Sequence, residues 1–135
     1  MAIMIWNESY SVGVGELDEQ HKALIRMINE MHYAMNNDKG QEAIAIIVEQ
    51  MFDYMEIHFS TEEGYMRQYS YLGYAAHAKE HEVFRAKARD LRQRVSEGEF
   101  VLSFEIVQFL SDWLQKHIMV SDMKYTSLFA EKGLT

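Results

Sequence analysis

The chain has 135 residues, enough for one domain with a real core and too few for two comfortable ones. Its net charge of -8 argues against nucleic acid or an anionic membrane as partner, since both are recognised through concentrated Lys and Arg. Without cysteine there can be no disulfide or thiolate site, so any metal must be held by nitrogen and oxygen, and without proline long helices can run uninterrupted.

Residues 1 to 17 show neither helical nor strand periodicity and predict an extended arm, pinned by Trp6 and Tyr10. From about 18 to 36, Leu17, His21, Leu24, Ile25, Ile28, Met31 and Met35 recur at intervals of three and four, the mark of an amphipathic helix. Asn36 to Gly40 carries helix-stopping chemistry. A second helix, about 41 to 68, lines up Ile44, Ile47, Val48, Met51, Met55, His58, Glu62 and Met66. A turn over Tyr69 to Gly73 leads to a third, about 73 to 95, with His77, His81, Phe84, Ala88, Leu91 and Val95 on one face. Ser103 is the expected N-cap of a fourth, about 103 to 120, whose inner stripe is Ile106, Leu110, Trp113, Leu114 and His117. The tail, 121 to 135, is expected to form a short outer helix around Leu128 and Phe129. The architecture is all-α: an up-down-up-down, left-handed four-helix bundle, one domain over 1–135. No apolar run approaches a membrane span and Met1 to Trp6 lacks the build of a signal peptide, so a cytoplasmic monomer is expected.

Five of the six histidines and two carboxylates stand out from this pattern. His58 and Glu62 are four apart, as are His77 and His81; four residues on a helix advance about 400° and about 6 Å, so each pair projects from one face. His21, His117 and Asp122 join them. A lone histidine on an apolar stripe is usually a hydrogen-bonded core residue. Burying five, with two carboxylates, among Leu, Ile, Phe and Met leaves groups that those side chains cannot satisfy. A pair of metal ions satisfies them together. Glu63 is rotated about 100° from Glu62 and is expected at the surface. His32 lies about 16 Å along the axis from His21, too far to share the site. His117 and Asp122 are five apart, about 140° out of register on a regular helix, so the helix is expected to loosen or end between them.

These residues resemble the hemerythrin family, specifically single-domain bacterial hemerythrins. The likeness runs from Trp6 to about Tyr125, in WNESYSVGVGELDEQH, HFSTEE, HAKEH and WLQKHIMVSD. The turn YSYLGY lacks the proline that many members carry there. The resemblance implies a non-haem di-iron centre: His77, His81 and His117 on one iron, His21 and His58 on the other with one position open. Glu62 and Asp122, with an oxide or hydroxide, would bridge the two. Dioxygen would bind reversibly at the open iron, in a pocket formed by Phe59, Trp113, Leu114 and Ile118.

The donor set itself leans the same way. Di-iron oxygenases and ferritins use mostly carboxylates in Glu-x-x-His motifs, which this chain lacks, and an imidazole-rich set should be less able to support highly oxidised iron. The expected role is an oxygen carrier, store or delivery protein, with dioxygen and an oxygen-consuming enzyme or reductase as partners. An oxygen or redox sensor acting through a protein partner is the alternative. An enzyme, whether di-iron oxidase or peroxidase or di-zinc hydrolase, ranks lowest, because no separate acid, base or nucleophile stands out. The ten methionines read as flexible core filler, since thioethers prefer softer metals.

Overall fold

In a computed structural model the protein is described over residues 4–135, and all regular structure there is helical. The first three residues of the predicted arm lie outside the described residues. Helix α1 spans Gly15–Asn36 and α2 spans Gly40–Tyr54. The second rod continues through a π-helical stretch, Met55–Phe59, into α3, Ser60–Gln68. Helix α4 is Tyr74–Ser96. Helix α5, Ser103–Trp113, passes into a longer π-helical stretch, Leu114–Ser121, then a 3-10 turn, Asp122–Tyr125, and α6, Thr126–Glu131. Helix α1 packs on α2 and α5, and α2 on α4. Among the described residues, no helix is long and apolar enough to cross a membrane.

The apolar stripes read from the sequence face inward. Leu24, Ile28, Met31, Ile47, Met51, Phe84, Leu91, Ile106 and Leu110 build the larger core. Burying each such side chain contributes about 1.5–3 kcal/mol. Met35 and Val95, at the ends of their stripes, are only partly buried against it. A second, smaller core gathers Val12, Val14, Leu17, Met66, Tyr125 and Phe129. The predicted outer tail therefore needs correcting: α6 exists, but Phe129 is fully buried and stacks on Tyr125 with ring centroids 4.4 Å apart.

Several details at the element ends also differ from expectation. Helix α1 begins three residues early, because Asp18 is already inside it and donates its N–H to Val14 O at 2.9 Å. The Asp18 carboxylate turns back instead and accepts from Val12 N–H and Ser11 Oγ, tying the arm to the first turn. The arm holds a 3-10 turn, Glu8–Tyr10, and a bend at Gly13, whose φ is 79°; Trp6 and Tyr10 pack on the larger core as anticipated. Ser103 is not the N-cap of α5: Leu102 occupies that position, while Ser103 is buried against Gly40, where a side chain in place of hydrogen would collide with the serine hydroxyl. The left-handed residue of that first turn is thus Asp38, at φ 57°, and Gly40 serves close approach.

Candidate metal centre

Both stretches of π-helix fall where polar side chains face inward. His58 sits in the first and His117 in the second. In a π-helix the repeat lengthens from four residues to five, so His117 and Asp122 come round to the same side despite their spacing. The expected loosening between them is present, and it starts earlier, at Leu114. The stretch around His58 was unforeseen, because the four-residue interval to Glu62 fits an ordinary α-helix.

His21, His58, Glu62, His77, His81, His117 and Asp122 are all buried and converge. They form two groups of donors that share Glu62: His77, His81 and His117 on one side, His21, His58 and Asp122 on the other. Glu62 Oε1 lies 2.8 Å from His77 Nε2 and 2.9 Å from His81 Nε2, while Oε2 lies 3.1 Å from His58 Nε2 and 3.6 Å from His21 Nε2. Asp122 divides its oxygens in the same sense, Oδ1 at 2.9 Å from His77 Nε2 and 3.0 Å from His117 Nε2, and Oδ2 at 3.0 Å from His21 Nε2. Each carboxylate therefore presents one oxygen to each histidine set.

As it stands, this cluster is poorly satisfied. His21 Nε2 and His58 Nε2 face each other at 3.0 Å, where only one can donate. His117 Nε2, both Asp122 oxygens and His21 Nδ1 are buried without an aligned hydrogen-bond partner among the described residues. Orphaned atoms of this kind each cost about 1–3 kcal/mol, more for charged groups, and two cations among the inward nitrogens and oxygens would complete nearly all of them. Nitrogen and oxygen donors in these proportions suit iron, zinc or manganese.

Charges follow from the same crowding. Burial opposes an imidazolium at His21, His77 and His117, but the Asp122 and Glu62 carboxylates prevail and lift them to about 9, about 9 and about 10. At His58 burial wins and its pKa falls. Burial works against ionised Glu62 and Asp122 too, and Glu62 against Asp122, yet the surrounding imidazoles hold both well below the usual carboxylate range.

At His58, His81 and His117 the Nδ1 atoms face outward, to partners that fix each ring. His58 Nδ1 donates to Gln20 Oε1 at 2.7 Å, His81 Nδ1 to Glu63 Oε2 at 2.6 Å, and His117 Nδ1 to Glu80 Oε1 at 2.9 Å. Ser121 Oγ donates to the same Glu80 oxygen at 2.6 Å, and Tyr125 OH to Glu62 Oε2 at 2.7 Å. The expectation of Glu63 at the surface is thus overturned: its side chain is 12% exposed and lies between His81 and Arg85. Its 100° rotation points it at α4 instead of at water. Gln20, Glu80 and Tyr125 escaped the sequence reading; the weak signal for the first two is a polar residue immediately before His21 and His81. His32 stays apart, partly exposed and paired with Asn36.

Aromatic rings enclose the cluster. Phe59 stacks on His81 with centroids 3.9 Å apart and Trp113 on His117 at 4.0 Å. Tyr54, not anticipated, stacks on His58 at 5.0 Å and accepts from Trp113 Nε1 at 3.3 Å. Leu114 and Ile118 are fully buried in the same core. A groove of about 400 Å³ between α1 and α2, lined by Gln20, Met27, Tyr54 and Ile57 among others, reaches His58.

The family model described as Hemerythrin HHE cation binding domain matches residues 12–129. The chain is 34% identical to a bacteriohemerythrin of Stenotrophomonas maltophilia over 125 residues, covering 93% of this chain and 80% of that protein. It is 32% identical to a bacteriohemerythrin of Methylococcus capsulatus, covering 93% and 95%, and 32% identical to a hemerythrin of Sipunculus nudus, covering 92% of each. A solved wild-type hemerythrin superposes with a TM-score of 0.79 at 30% identity, covering 94% of this chain and 98% of that one.

Proposed function

The chain belongs to the hemerythrin family, and from that premise we propose that it binds dioxygen reversibly at a non-haem di-iron centre, as an oxygen carrier, store or delivery protein. His77, His81 and His117 would hold one iron and His21 and His58 the other, with Glu62 and Asp122 shared between them. The observation that carries this reading is the division of each carboxylate, one oxygen toward each histidine set. Two ferrous ions held there would supply the two electrons that dioxygen takes up on binding.

The chain's own residues supply orientation and dryness. Gln20, Glu63 and Glu80 hold the Nδ1–H of His58, His81 and His117, so that the Nε2 of each faces inward, where a cation would take the place of any proton. Tyr125 holds Glu62 by its hydroxyl. Phe59, Trp113, Leu114 and Ile118 wall the cluster from water, and Tyr54 closes the side next to His58. Burial, and the nearby Asp122 and Glu62 charges, keep the Tyr54 and Tyr125 hydroxyls well above the ordinary phenol range, so both remain neutral. A dry, neutral wall favours holding and releasing a ligand over turning it into product.

The test is anaerobic reconstitution with ferrous iron followed by cycles of air and argon. Two irons per chain are expected, with an absorption band that rises in air and disappears under argon. Fewer than two irons, or a spectrum indifferent to oxygen, overturns the proposal.

A further inference from the structure

The two histidine sets are supported from behind by different chemistry, and we propose that this makes the two metal positions unequal. Glu63 and Glu80 render the His77, His81 and His117 position the tighter one, filled first, while Gln20 keeps the His21 and His58 position weaker and exchangeable. The inference rests on the two-metal reading above and deepens it.

An imidazole that donates its Nδ1–H to a carboxylate is drawn toward imidazolate, and its Nε2 becomes a stronger donor to a metal; a neutral amide oxygen does this much less. Of the three histidines in the first set, two are supported by carboxylates, at 2.6 Å for His81 to Glu63 and 2.9 Å for His117 to Glu80. Neither carboxylate is free to turn away. Arg85 Nη2 donates to Glu63 Oε2 at 3.3 Å, and Ser121 Oγ donates to Glu80 Oε1 at 2.6 Å.

The second set has no such support. His58 faces the amide oxygen of Gln20 at 2.7 Å, and His21 Nδ1 is buried with no partner among the described residues. The orientation of Gln20 is set by its surroundings. Thr61 Oγ1 donates to Ile57 O at 2.6 Å and so is left to accept from Gln20 Nε2 at 3.3 Å, which turns Oε1 toward His58. An amide there, where the other set has acids, is a difference of one atom in each side chain, and it falls on the position expected to change ligands.

Cobalt(II) under argon tests this, because its visible spectrum reports each filling step without any oxygen chemistry. Metal-free protein titrated with Co2+ against a competing chelator should bind two ions in two resolved steps. Changing a single partner of a metal-ligating histidine typically alters affinity about 10- to 100-fold. Glu63→Gln and Glu80→Gln should each weaken the first step by that order and leave the second within about 3-fold. Gln20→Glu should strengthen the second step and narrow the gap; a gain of this kind cannot come from misfolding. If the glutamine variants move both steps alike or neither, or Gln20→Glu leaves the second step unchanged, unequal support is refuted. Binding of fewer than two Co2+ by the unaltered protein would instead refute the proposed function.

Discussion

Tyr125→Phe isolates one interaction at the centre of the molecule. The hydroxyl of a fully buried tyrosine donates to Glu62 Oε2 at 2.7 Å. Phenylalanine keeps the ring that stacks on Phe129 and leaves no cavity larger than the missing oxygen. A hydrogen bond to a charged group contributes about 1.5–3 kcal/mol, and its loss here leaves a buried carboxylate oxygen with the His58 and His21 nitrogens alone. The unfolding constant should therefore rise about 10- to 150-fold. Urea denaturation of metal-free protein measures this as a lower midpoint at unchanged slope. A double-mutant cycle with Glu62→Gln then assigns the loss: coupling of at least about 1 kcal/mol is expected, since the hydroxyl matters through that carboxylate. A shift below about 0.5 kcal/mol, or independent effects of the two substitutions, refutes the role given to Tyr125.

Chelating the metals should lower thermal stability, because Asp122 and His117 lose the partner that answers their unpaired atoms; at ligand 100-fold above its dissociation constant the difference is about 2.7 kcal/mol, and coincident melting curves would contradict it. Leu114→Ala opens the wall beside His117 and should cost about 2–5 kcal/mol in unfolding free energy while accelerating oxidation of the iron-loaded protein in air, followed by loss of the oxygenated spectrum. Metal-free protein should lose stability as pH rises. His21, His77 and His117 have folded pKa values of about 9, about 9 and about 10 against 6.5 for an ordinary imidazole, so their stabilising contribution is complete below about 6.5 and gone above about 10. A melting temperature flat across that window would contradict the charge assignment, and cations bound in place of those protons should abolish the dependence.

The bundle was legible because its apolar residues repeat at helical intervals, and that repeat survives in the fold almost residue for residue. The convergence of His58 with Glu62 and His77 with His81 was legible for the same reason: both partners lie on one rod at one turn's separation. What escaped depends on how one rod is placed against another. Glu63 was set aside because rotation on its own helix points it away from Glu62, and nothing in the sequence says that α4 brings His81 and Arg85 to meet it. Glu80 and Gln20 are similar, each acting across an interface whose register is a property of the packed molecule. The apolar repeat puts the start of the first helix at about residue 18, yet Asp18 lies inside that helix and its carboxylate serves the arm behind it.

The wide turns between Leu114 and Ser121 carry a consequence for how such a chain can change. Removing one residue ahead of His117, Gln115 for example, would let the backbone relax into ordinary α-helical bonding and improve its local geometry. The same excision would leave His117 and Asp122 five apart on a four-residue repeat, about 140° out of register, and carry Asp122 away from the cluster. Length is therefore held more tightly in the positions ahead of His117 than chemistry is. Gln115 and Lys116, both turned toward solvent, can be exchanged far more easily than they can be deleted.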